Sequence, residues 1–138
     1  MLTKNDLEKL AQVRLEDALL LFKANRSSSA YYLAGYAIEL ALKACISKQM
    51  QSNVIPDRAY INAIYTHDLK SLLSSSGLQP EFDADIKTDP QLGAYWAIVN
   101  NWTEGSRYLF MDPVSTATLL KAINEPNHGV FQWVKKHW

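Results

Sequence analysis

The stretch YYLAGYAIELALKACI, residues 31–46, is apolar on nearly every side, yet Glu39 and Lys43 sit in its middle. A helix that is apolar all round is one that other helices enclose. The pattern extends from about Ser29 to about Gln51 and predicts the central helix of an all-α protein. Ala34, Gly35, Ala37, Ala41 and Ala44 are small and permit neighbouring helices to approach closely. Glu39 and Lys43 interrupt the run, and it is too short to be read as a membrane span.

Amphipathic segments flank this stretch. TKNDLEKLAQVRLEDALLLFKAN predicts a first helix, capped by Thr3 or Asn5, with Asp6 and Glu8 in the first turn. Leu7, Leu10, Ala11, Ala18, Leu21 and Phe22 recur at helical spacing and mark its buried face. RSSS, residues 26–29, then breaks the chain and offers Ser27 or Ser28 as the next cap. After the central helix, NVIPDRAYINAIY reads as a loop with one helical turn, because Pro56 interrupts it. THDLKSLLSSSG is a compact helix with Thr66 as cap and Gly77 as its stop. LQPEFDADIKTDPQ reads as an acidic connector. Asp89–Pro90 and Asp112–Pro113 each pair a capping carboxylate with a proline at the first helical position, and so predict two more helix starts. NEPNHG breaks the last segment, and VFQWVKKHW resumes it. No strand pattern, repeat or low-complexity tract is evident. The expectation is an up-and-down bundle of four to six helices.

At 138 residues the chain is one domain, 1–138. A domain of this size buries about 70% of its unfolded surface and needs no disulfide or metal to hold it. Its 14 basic and 14 acidic residues balance, so nothing global draws it to nucleic acid or to a membrane surface. The single cysteine, Cys45, lies within the apolar stretch and reads as a small hydrophobe in a reducing compartment. MLTKNDLEKLAQ has no apolar signal-peptide core. A cytoplasmic protein without a membrane partner is expected.

The three histidines, His67, His128 and His137, are isolated in sequence, and no HExxH or CxxC is present, so no metal is expected. The five glycines are scattered, which excludes a phosphate-cradling loop. Cys45 in mid-helix is a poor nucleophile. What remains is a polar stripe on the central helix: Gly35, Glu39, Lys43 and Ser47 step by four, bordered by Tyr32 and Tyr36. Glu four residues before Lys is the favourable order for an ion pair. The stripe is either the helix's one solvated or cross-helix face, or a groove that also receives His67 and Arg107. An Arg set between Trp102 and YLF needs a carboxylate, and Glu39 is a candidate. Arg14 is expected to pair with Asp17. The four tryptophans read as core and interface anchors rather than base-stacking platforms.

YLAGYAIELALKACI, THDLKSLL, WTEGSRY and the final VFQWVKKHW, in this order, resemble the HEPN family, the higher eukaryotes and prokaryotes nucleotide-binding domain. The resemblance spans nearly the whole chain and is closest to the minimal stand-alone members. It implies a helical bundle, a homodimer, and links to RNA cleavage, to toxin–antitoxin pairs and to minimal nucleotidyltransferases. No cofactor is expected. Many members are metal-independent ribonucleases, built on an Arg followed by His after four to six intervening residues. The imidazole acts as acid or base at the 2′-hydroxyl and leaving oxygen, and the guanidinium stabilises phosphate charge.

This chain departs from that pattern. Counting on from Arg107, the His positions are held by Asp112, Pro113 and Val114. Arg58 and His67 are separated by eight residues, too many. Arg107 and Tyr108 match the family's RY feature, which reads as structural or binding. The expectation is therefore a non-catalytic HEPN-like module that binds nucleotide, RNA or a protein partner such as a nucleotidyltransferase. Two alternatives stand beside it. One is a divergent ribonuclease that brings His67 or His128 to Arg107 in space. The other is a purely structural interaction subunit with Glu39 and Lys43 in a dimer interface.

Overall fold

The computed structural model describes residues 2–138, and it is all helical, at 72% helix without strands among them. Eight α-helices are present among the described residues, more than the four to six expected: α1 Lys4–Lys23, α2 Ser27–Ser47, α3 Arg58–Tyr65, α4 Leu69–Ser75, α5 Gln79–Thr88, α6 Pro90–Val99, α7 Pro113–Asn124 and α8 Val130–Lys135. A 3-10 turn, Glu104–Tyr108, links α6 to α7. Two segments read as loop and connector account for most of the excess. Asp57 caps α3 by accepting from the Tyr60 N–H at 2.7 Å. Pro80 sits in the first turn of α5, where it needs no donor.

α1 opens on a reciprocal cap. Thr3 Oγ1 accepts from the Asp6 N–H at 3.1 Å, and the Asp6 carboxylate accepts from the Thr3 N–H at 2.9 Å. Asn5 lies inside the helix. The buried seam is Leu7, Ala11, Leu15 and Ala18, whereas Leu10, Leu21 and Phe22 are half-buried. The chain reverses at Asn25, whose φ of 62° is left-handed. Arg26 N–H donates to the Leu21 carbonyl and Asn25 N–H to that of Phe22, closing the end of α1.

α2 starts without a side-chain cap, contrary to the expected role of Ser27 or Ser28. Those serines are spent elsewhere. Ser28 Oγ accepts from the Met111 N–H at 2.8 Å, and the Ser27 carbonyl accepts from Thr116 Oγ1 at 3.0 Å. Both bonds fasten α2 to the start of α7. α2 packs against α1, α4, α7, α8 and the 3-10 turn, as its composition predicts. Among the described residues no helix is long and apolar enough to cross a membrane.

Ile38, Leu42, Leu69, Leu72, Leu119, Ile123 and Phe131 fill the centre. Phe82 of α5 packs edge-on to Trp96 and Trp133, with centroids 5.5 and 5.2 Å away. Trp133 Nε1 donates to Asp85 at 2.8 Å. Burial pushes the Cys45 thiol up to about 11, so it stays protonated beside the Val134 carbonyl.

The break before α8 is held by His128, whose Nδ1 lies 2.8 Å from Asp89 Oδ1 at the start of α6. The hydrogen bond to Asp89 raises the His128 pKa above its ordinary 6.5, and the same bond lowers that of Asp89 below 3.8. The stabilisation from His128 is in force below its unfolded pKa and is lost as pH rises through the raised folded value. That from Asp89 is in force above its unfolded pKa and is lost as pH falls through the lowered folded value. The His128→Gln variant should therefore show its largest deficit in urea midpoint near pH 5–6, between the two ordinary values. The deficit should shrink toward pH 9. A deficit that does not vary over this range would show that the pair is not ionic.

Candidate functional site

The stripe predicted on α2 faces inward. A Cβ built on Gly35 would lie 2.2 Å from the ring of Trp102, so the indole rests directly on the helix backbone. One turn on, the Glu39 side chain is 1% exposed. Lys43 is 13% exposed, and its Nζ donates to Glu39 Oε1 at 2.9 Å. Ser47 ends the stripe by donating to the Ala44 carbonyl at 2.7 Å.

A carboxylate this deeply buried requires more than one partner. The second comes from the turn between α3 and α4. Thr66 closes α3 in extended conformation and is not the cap of α4, a place taken by Asp68. The extended backbone carries His67 onto α2, where Nδ1 lies 2.8 Å from Glu39 Oε1. The other ring nitrogen, Nε2, lies 3.2 Å from Glu104 Oε2. Glu104 Oε1 in turn accepts from Arg107 Nη1 at 3.1 Å. In the 3-10 turn, residues three apart eclipse each other, which places Glu104 and Arg107 on one face.

The result is a chain of alternating groups: Lys43, Glu39, His67, Glu104, Arg107. It begins in the interior and ends at the surface, where the guanidinium lies 4.8 Å over the Tyr108 ring. The imidazole has a carboxylate at each nitrogen. The expected pairing of Arg107 with Glu39 does not form. Glu104, three residues away, takes Arg107, and His67 stands between the two carboxylates. Glu104 was not singled out by the sequence reading, although its spacing from Arg107 in a turn was a signal for it.

The other candidates fall into place around this chain. Tyr36 is half-buried and stacked on Tyr32 with centroids 6.0 Å apart. Its pKa is raised by burial first and then by Glu39. Tyr32 also stacks on Trp102 at 6.1 Å. Arg14 pairs with Asp17 at 3.0 Å, as expected. His128 belongs to the contact with Asp89 and His137 to one with Glu81, so neither is paired with Arg107. Among the described residues no cluster of His, Cys, Asp and Glu is arranged to hold a metal ion. Among the described residues three buried side-chain polar atoms lack a hydrogen-bond partner: Glu39 Oε2, Trp102 Nε1 and Ser106 Oγ.

Beyond Arg107 the chain runs over the surface. Tyr108, Leu109 and Phe110 are 76%, 56% and 101% exposed, and Val114 at the start of α7 is exposed as well. The last charged group of the chain thus stands beside a strip of three successive exposed apolar residues.

Compared with protein-family models, with curated proteins and with solved structures, the chain matches none.

Proposed function

We propose that the chain is a cytoplasmic HEPN-like binding module without ribonuclease chemistry. It works as a homodimer and docks a protein, of which a minimal nucleotidyltransferase is one kind, in a toxin–antitoxin or defence setting. The observation that supports this reading is the strip Tyr108–Phe110, with Phe110 fully exposed. Large apolar side chains exposed in succession favour a surface that another molecule covers. Within the strip's own stretch Arg107 is the one cation, and the chain's net charge is zero, which favours a protein surface over a long run of phosphates. The aromatic planes of Tyr108 and Phe110 beside Arg107 suit a single nucleotide or a short RNA as the second reading.

A ribonuclease needs an imidazole free to exchange a proton with RNA. Both His67 nitrogens face carboxylates, and Glu104 separates the ring from Arg107. This supports a positioning role for His67: it orients Glu104, and Glu104 holds Arg107.

The test is sedimentation velocity on the purified chain and its Phe110→Asp variant. A dimer is expected, with a dissociation constant raised about thirtyfold or more by the variant, as for an aromatic interface anchor. A wild-type monomer would overturn the homodimer, and a variant dimer of unchanged affinity would overturn the placing of its interface at Phe110. Incubation with RNA at micromolar protein is expected to leave the RNA intact. Robust cleavage that disappears in Arg107→Ala would overturn the non-catalytic reading.

A further inference from the structure

A cleft borders Lys43. It has a volume of about 460 Å³ and is walled by Leu2 and Leu7 at the start of the chain, Met50 after α2, and Ile61 and Ile64 of α3. α3 buries none of its residues, so its apolar side forms an incompletely covered wall. The volume falls within the range of small-molecule sites, roughly 300–1,000 Å³.

Among the described residues Lys43 is the one charged residue that lines this cleft. An ammonium carries three donors. One goes to Glu39 Oε1, and no other partner is present among the described residues. From its geometry we infer that this cleft binds a medium-chain acyl carboxylate, its tail against Leu7, Met50, Ile61 and Ile64 and its head on Lys43. The charge decides the class. With two ammonium donors of Lys43 unspent and no carboxylate among the described lining residues, the cleft favours an apolar body with one negative head over a cationic amphiphile. The head group and Glu39 then share one ammonium, so occupancy redistributes the hydrogen bonds of Glu39 and is felt at His67, the next member of the chain.

Decanoate is the probe, with decanol and decyltrimethylammonium as controls of equal chain length. Binding is read by calorimetry and by the ring-proton resonances of His67. Decanoate is expected to bind, to shift the His67 signals, and to bind about tenfold more weakly to Lys43→Met, the loss of one charge-assisted hydrogen bond. Lys43→Arg, which keeps the charge, should retain most of the affinity and also guards against a folding defect in the Met variant. Ile61→Asp should abolish binding with Lys43 intact. Equal affinity of the wild type for decanoate and decanol, tight binding of the decyl cation, or unchanged affinity in Lys43→Met would each overturn the inference. None of these outcomes bears on the strip Tyr108–Phe110, which lies on another face.

Discussion

Glu39→Ala is expected to lower the unfolding free energy by about 3 kcal/mol, as when one partner of a buried ion pair is removed. Glu39 is 1% exposed, and Lys43 is 13% exposed. Without the carboxylate, the ammonium is left in a poorly hydrated place. The loss stays near the lower end of the usual range because the flexible lysine stem reaches toward the cleft mouth. His67 is more exposed and turns to water at little cost. The double variant Glu39→Leu with Lys43→Met should recover most of the loss, since replacing a whole buried pair by apolar groups of similar volume is close to neutral. Urea unfolding of the single and double variants checks both statements. A single variant within about 0.5 kcal/mol of the wild type, the range of an ordinary surface substitution, would show that the pair is solvated.

The second large effect is at Gly35. In an exposed helix, Gly→Ala is favourable by about 1 kcal/mol. Here the added methyl meets Trp102 at 2.2 Å, and the indole is 2% exposed and stacked on Tyr32. The ring has nowhere to go without separating the 3-10 turn from α2. Gly35→Ala should therefore cost about 3 kcal/mol, the upper part of the range for overpacking a core. The origin is checked by coupling. In a Trp102→Leu background the same change should cost far less, and the non-additivity measures the contact. A stabilised Gly35→Ala protein would mean that the close approach is absent in solution.

The parts of this fold that can be read in advance are those set by neighbours in sequence. Asp89–Pro90 and Asp112–Pro113 mark helix starts because a capping oxygen and a fixed φ act within one turn, and Asp89 and Asp112 do accept from Leu92 and Ser115. α2 was legible because its apolar residues leave no solvent face. α5 was not, since Phe82 is its one fully buried residue and the half-buried Leu78 and Ile86, at four-residue spacing on either side, are set in an acidic, Pro-containing stretch. α3 buries nothing and hides behind Pro56. The end of α1 rests on the left-handed Asn25, a backbone state that side-chain pattern does not report. The site divides in the same way. Glu39 and Lys43 announce themselves by spacing. His67 reaches Glu39 across 28 positions through a turn whose direction is set by tertiary packing. Arg107 took the nearer carboxylate, which the 3-10 turn places on its own face three residues away.

The enclosure of α2 also has a temporal side. Its cover is assembled from α1, which precedes it, and from α7 and α8, which come much later in the chain. Roughly 65 residues lie between Ser47 and Pro113, and at roughly 5–20 residues per second their synthesis takes several seconds. During that interval the α1–α2 hairpin has emerged with the sides of α2 meant for α7 and α8 still bare. A nascent chain of this protein presents its stickiest helix before it can shield it, so its yield in a cell should depend on chaperone capacity more than the stability of the finished fold suggests.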